Sequence, residues 1–163
     1  MTRVWVSLGS NVEREASIRG AVQALRGLYG QLVVSPVYES DAVGFTGEPF
    51  FNLVVRFETE KPVEDLCRDL TDVEAALGRV RGPDRFSPRT LDADLLLYGD
   101  EVVDVGRMRL PREEILEYAF VLRPLAQVAG DQVHPILGRP FRELWAEFPQ
   151  AEQPLRLVPA CLD

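Results

Sequence analysis

The sequence predicts an α+β fold in which two helices pack on one antiparallel sheet in the order βαββαβ. Three observations predict it. Apolar and polar residues alternate over 3–8 and again over 51–58, the period of a strand with one face buried. Two intervening stretches repeat apolar residues at helical spacing. A third apolar run, 91–98, completes the order.

In the first strand Val4, Val6 and Leu8 share one face and Arg3, Trp5 and Ser7 the other. Gly9-Ser10-Asn11 breaks it, and Ser10 or Asn11 can cap a helix. Ile18, Val22 and Leu25 then predict an amphipathic helix over 13–28 that ends near Gly30. Residues 31–39 are rich in β-branched and aromatic types, with Pro36 indicating an edge position or a bulge. Residues 40–49 carry two glycines and a proline and read as a loop. Phe51, Leu53, Val55 and Phe57 alternate with Asn52, Val54, Arg56 and Glu58 in the next strand. Pro62 opens the second helix at a position that tolerates it, and Gly78 ends it. Val63, Leu66, Leu70, Val73 and Leu77 mark its buried face. The run 91–98 is apolar on both faces beyond Asp94, which predicts a central strand. A short strand pair over 101–110, a helical turn over 112–117 and helices near 123–129 and 141–148 are expected after it. Together these predict a ferredoxin-like sandwich with C-terminal additions, residues 1–163 forming one domain.

The composition is that of an ordinary globular chain, 46% hydrophobic and 27% charged. Met1 leads at once into a strand-like run, so no leader is expected. No apolar stretch approaches the ~20 residues that cross a bilayer. A cytoplasmic monomer is the expectation. The two cysteines, Cys67 and Cys161, are too few and too far apart for a disulfide framework or a metal site. The single histidine, His134, stands near no nucleophile motif and reads as structural. A net charge of −8 repels nucleic acid and anionic membranes at long range, so neither is expected as a partner.

The charge is unevenly spread. Residues 79–89 hold four arginines, Arg79, Arg81, Arg85 and Arg89, against one acid, Asp84. Arginine keeps its charge and forks onto phosphate oxygens. Asp92 and Asp94 follow directly. On a strand, positions i and i+2 point the same way, about 6–7 Å apart. Two carboxylates so placed repel each other unless a counter-charge joins them, and a hard divalent cation such as magnesium provides one. Taken alone, such a pair is better explained by two solvated acids. Beside four arginines it has the layout that phosphoryl transfer requires. Phe50 and Phe86, in loops or at a strand end, are candidate faces for a flat ring, and Asn52 offers both donors and an acceptor to a ring edge.

Arg79-Val80-Arg81, Arg85-Phe86-Ser87-Pro88-Arg89 and Asp92-Ala93-Asp94-Leu95-Leu96 closely resemble the signature of the 6-hydroxymethyl-7,8-dihydropterin pyrophosphokinases of folate biosynthesis. The likeness runs from Gly9-Ser10-Asn11 through the loop at Gly44, Phe51-Asn52, Glu74 and Phe120 to Arg123-Pro124-Leu125, and the tail after 150 carries nothing diagnostic. The resemblance implies a ferredoxin-like fold and a reaction in which ATP and a reduced pterin are the substrates. It implies two magnesium ions on Asp92 and Asp94, with Arg79 and Arg89 acting on the transferring phosphates. Glu74, Arg81, Arg85, Arg107 and Arg112 fall on the nucleotide side. Ser40, Val43, Gly44, Phe50, Asn52, Phe86 and Phe120 fall on the pterin side. The chain departs from the usual pattern with Phe86 for tryptophan, Ser87 for glycine, Ala93 for a larger aliphatic, Asp41-Ala42 for a proline-containing pair, and Arg112 for histidine after Pro111. The rival expectation is a ferredoxin-like ligand- or RNA-binding domain without catalysis.

Overall fold

The computed structural model describes residues 1–42, 47–77, 91–159 and 162. The first strand, β1 (Thr2–Ser10), leads into α1 (Arg14–Tyr29). Neither Ser10 nor Asn11 caps this helix. Glu13 precedes it with a φ of 45°, and the Ser10 hydroxyl is taken up by the Val12 carbonyl instead. The missing cap forgoes roughly 0.5–2 kcal/mol. That is less than Ile18, Val22 and Leu25 together gain by complete burial, at roughly 1.5–3 kcal/mol each. The helix closes at Gly30, whose φ is 81° and whose N–H reaches the Arg26 carbonyl.

Pro36 splits the next strand into β2 (Val33–Val34) and β3 (Val37–Ser40). Ser35 bridges the gap, exchanging its backbone N–H and its hydroxyl with the backbone of Val54. Then come β4 (Phe50–Thr59), α2 (Val63–Leu77) and β5 (Asp92–Tyr98). The sheet order is β5-β1-β4-β3, antiparallel at each pairing, which is the ferredoxin-like arrangement. Beyond it lie a separate hairpin, β6 (Val103–Val105) and β7 (Met108–Leu110), and three helices. These are α3 (Glu114–Glu117), α4 (Ala119–Val128) and α5 (Phe141–Glu147). A last strand, β8 (Arg156–Val158), adds to the free edge of β3. Among the described residues no helix is long and apolar enough to cross a membrane.

Two expectations are corrected. The strand at 91–98 lies at the end of the sheet, not in its middle. It is apolar on both faces because both faces of the sheet are covered. Val4, Val6, Leu8, Leu53, Val55 and Leu95 meet α1 and α2 on one side. Trp5, Val54, Leu96 and Leu97 meet Ile115, Leu122, Leu125 and Phe141 on the other. A bulge between Trp5 and Val6 turns both Leu96 and Leu97 to that second side. The helix expected near 123 begins instead at Ala119, with Pro124 inside it. Pro124 removes one hydrogen bond, that to the Phe120 carbonyl, while the apolar face of Val121, Leu122 and Leu125 is buried and holds the helix together. The tail strand β8 had no sequence signal, because three residues are too few to show a period.

Candidate active site

The helices α3–α5 cover only the Trp5–Val54–Leu97 end of their face of the sheet. The other end is open, and a cavity of about 290 Å³ lies there. Strand register fixes what faces it. Gly9 pairs with Asp92 of β5 on one side and with Asn52 of β4 on the other, and Asn52 pairs in turn with Tyr38 of β3. Asp92 and Asn52 are therefore two strand spacings apart, about 9–10 Å. Gly9 leaves the floor between them low, since a Cβ on it would stand 3.4 Å from Asn52 Oδ1.

Asn52 is buried, and its orientation is determined by its neighbours. Its Nδ2 donates to the Tyr38 carbonyl at 3.1 Å, Ser40 Oγ at 2.9 Å and the Phe50 carbonyl at 3.3 Å. With the donor side so held, Oδ1 is turned toward Gly9 as an acceptor. Ser40, Phe50 and Phe120 line the same cavity, and Phe120 is stacked on Tyr118 with ring centroids 4.9 Å apart. Four residues expected on the pterin side are thus brought together. Val43, Gly44 and Phe86 lie outside the described residues, as do Arg79, Arg81, Arg85 and Arg89.

Asp92 and Asp94 are half-buried and line the cavity. Asp94 faces Ser7 across the β1–β5 pairing. The backbone N–H of Ala93 between them donates to Glu74 Oε2 at 3.2 Å, which ties α2 to this point of β5. Arg112 stands on the other side of Asp94, with Nη2 3.5 Å from Oδ1, and its Nε is 3.2 Å from Glu114 Oε2. The Arg112 backbone N–H donates to the Leu96 carbonyl at 3.1 Å, so the residue is anchored to the aspartate strand itself. Of the two neighbouring acids, Arg112 pairs with Glu114, while Glu113 pairs with Arg109.

A second cavity of about 260 Å³ opens on the far side of Asp94. Glu74, Arg107 and Arg112, all expected on the nucleotide side, line it, together with Arg109, which the sequence reading did not single out. Arg109 pairs with Asp104 and Glu113, whereas Arg107 is exposed and has no carboxylate partner among the described residues. Asp94 and Arg112 line both cavities. Cys67 lies at the edge of the second; burial, then the nearby Glu64 carboxylate, raise its pKa and keep it a thiol.

The oxygen donors of Asp92 and Asp94 line one cavity, and Asp94 already draws a guanidinium, which suits a hard cation. Among the described residues no cluster of three metal-ligating side chains occurs. His134 is structural, as expected: it is buried, and its Nδ1 accepts from the backbone N–H groups of Ile136 and Leu137.

A family model described as 7,8-dihydro-6-hydroxymethylpterin-pyrophosphokinase matches residues 5–130. The chain is 40% identical over 151 residues to a 2-amino-4-hydroxy-6-hydroxymethyldihydropteridine pyrophosphokinase of Pseudomonas aeruginosa, covering 90% of this chain and 92% of that protein. It is 40% identical over 152 residues to a protein of the same name from Methylorubrum extorquens, covering 91% and 94%. Among solved structures, a Plasmodium falciparum HPPK-DHPS superimposes with a TM-score of 0.72 at 11% identity, over 90% of this chain and 45% of that one. The chain thus spans less than half of that solved chain, and at such identity the likeness speaks for the fold alone.

Proposed function

The chain belongs to the 7,8-dihydro-6-hydroxymethylpterin-pyrophosphokinase family, and from that premise we propose how its two cavities divide the reaction. The activity is pyrophosphoryl transfer in folate biosynthesis, with ATP and the hydroxymethyl-dihydropterin as substrates. The pterin would take the first cavity, and the ATP phosphates would reach in from the second. The observation that carries this reading is the wall between them: Asp94 and Arg112 face both spaces, where a phosphoryl group in transit must pass.

Asn52 Oδ1, held toward Gly9, would accept from the N–H edge of the pterin ring, and Phe50 and Phe120 would flank the ring. The span from Asn52 to Asp92 suits a fused bicycle with its hydroxymethyl arm toward the aspartates. That oxygen attacks the β-phosphorus of ATP in line; the new O–P bond forms as the bond to the α-phosphate oxygen breaks, and AMP leaves. No side chain is covalently modified. Asp92 and Asp94 would hold two magnesium ions. Bound there, magnesium would neutralise charge on the transferring phosphates. Arg107 and Arg112 would grip phosphate oxygens, and Glu74 would steady β5 beneath them. In this reading Arg81 and Arg85 also serve the nucleotide, Arg79 and Arg89 the transferring group, and Val43, Gly44 and Phe86 the pterin. Catalysis is then mainly positioning and charge neutralisation.

The reading takes residues 1–163 as one domain acting as a cytoplasmic monomer. A noncatalytic RNA-binding role finds less support, because α3–α5 bury the sheet face on which such a module stacks bases. The direct test is incubation with ATP, magnesium and 6-hydroxymethyl-7,8-dihydropterin. AMP formed only when all three are present supports the proposal. ADP, or AMP without pterin, counts against it.

A further inference from the structure

The C-terminal strand β8 lies beyond the 5–130 segment that the family model matches. Its pairing places Arg156 directly across from Glu39 of β3. Arg156 Nε donates to Glu39 Oε1 at 2.6 Å, and its Nη2 reaches Asp41 Oδ1 at 3.0 Å. The second Glu39 oxygen, Oε2, accepts from Arg14 Nη1 at 2.7 Å. That same Arg14 nitrogen donates to the Pro49 carbonyl at 3.1 Å, and the guanidinium lies 4.0 Å over the Phe51 ring.

The chain leaves β3 at Ser40 and Asp41 and re-enters the sheet at Pro49 and Phe50. Arg156 therefore holds the departing end and Arg14 the returning end, with Glu39 as the hub between them. Both ends matter to the first cavity. Ser40, Asp41 and Phe50 line it, and Asn52 hangs on Ser40 Oγ and the Phe50 carbonyl. A shift of either end would turn the Asn52 amide and move its acceptor.

We infer that Arg156 is a positioning residue for the pterin, acting through Glu39 and Asp41 to hold the Asn52 end of the first cavity in place. The inference rests on the assignment of that cavity to the pterin. Arg156 does not itself line the cavity; it reaches it through Asp41. Its side chain is 46% exposed and that of Asp41 74%, and the more buried Glu39 keeps its pair with Arg14 when Arg156 is lost, so the cost to folding stability is small. Its effect belongs in geometry and hence in binding.

The experiment measures dissociation constants calorimetrically, for 6-hydroxymethyl-7,8-dihydropterin with saturating magnesium and a nonhydrolysable ATP analogue, and for that analogue alone. Arg156→Ala should weaken pterin binding roughly three- to tenfold, the scale of one coupled charged contact. The nucleotide constant and the melting temperature should stay near wild type. Arg156→Lys, which keeps the charge on Glu39 but not the fork, should recover part of the loss. Adding Arg156→Ala to Asp41→Asn should cost less than it does in wild type. Asn52→Ala is the control for the cavity. If it weakens pterin binding and Arg156→Ala does not, the positioning role is wrong. If Arg156→Ala lowers the melting temperature and weakens both ligands alike, Arg156 is only structural. If Asn52→Ala leaves pterin binding intact, the cavity assignment fails and the inference with it.

Discussion

The Arg112 guanidinium lies 3.5 Å from the Asp94 carboxylate, at the wall the two cavities share. Both side chains are more than a third exposed, so the pair is a weak one and a cation or a phosphate can displace it. Arginine as a residue type brings a permanent charge, whereas histidine changes charge near neutral pH. Arg112→Ala should therefore raise the KM for ATP roughly three- to tenfold, as loss of one charged contact does, and leave the KM for pterin unchanged. It should also tighten Mn²⁺ binding to the nucleotide-free protein, followed by electron paramagnetic resonance, because Asp94 loses a competing cation. An unchanged ATP KM together with unchanged Mn²⁺ affinity would leave Arg112 as a surface residue.

Asp92 and Asp94 sit two residues apart on one strand face, where their charges repel. Asp92→Asn and Asp94→Asn should each lower kcat/KM by several kcal/mol of transition-state stabilisation, since each removes a carboxylate from the proposed magnesium site. The melting temperature without ligand should hold, because the repulsion relieved offsets the weak pair with Arg112 that Asp94→Asn gives up. Wild-type activity in both variants would remove the aspartates from the mechanism.

Much of this was legible in the sequence, and the misses share a cause. The alternation of Val4-Val6-Leu8 and the spacing of Ile18, Val22 and Leu25 are local patterns, and they located β1 and α1 to within a few residues. Asp92 and Asp94 stood out because strand geometry alone puts them on one face. The place of β5 in the sheet could not be read from its residues, because an edge strand covered on both faces is as apolar as a central one; only the strand pairing distinguishes them. Arg112 on Asp94, Arg109 beside the second cavity and Arg156 on Glu39 depend on pairings between distant segments. No periodicity announces such contacts.

His134 is the chain's one histidine, which makes its titration separable. Burial lowers its pKa, and its Nδ1 is occupied as an acceptor from two backbone N–H groups. The folded state thus takes up a proton less readily than the unfolded chain, whose histidine titrates near ~6.5. The stabilisation is complete above that pH and is lost progressively as pH falls below it toward the folded value. Chemical denaturation should show stability decreasing from pH 7.5 to 5.5 in the wild type. His134→Asn should flatten that slope, at the cost of a lower stability at pH 7.5. An equal slope in the variant would assign the proton uptake elsewhere.

Gly9 stands between Asp92 and Asn52 on adjacent strands, and its missing side chain is what leaves the cavity floor open. A Cβ there would lie 3.4 Å from Asn52 Oδ1 and 3.8 Å from the Phe51 carbonyl, close but without a backbone clash. Glycine weakens a strand by its conformational freedom, so alanine should stabilise the fold by up to about 1 kcal/mol. The same methyl group would rise into the space the pterin is proposed to occupy, beside the acceptor that reads its edge. Gly9→Ala should therefore raise the melting temperature while raising the pterin KM, with the ATP KM little changed; Gly9→Val should push the pterin KM further. Stability and affinity moving in opposite directions is the signature of a residue kept small for its ligand. If Gly9→Ala leaves the pterin KM untouched, the ring does not lie over the β1–β4 seam, and the acceptor role of Asn52 loses its footing.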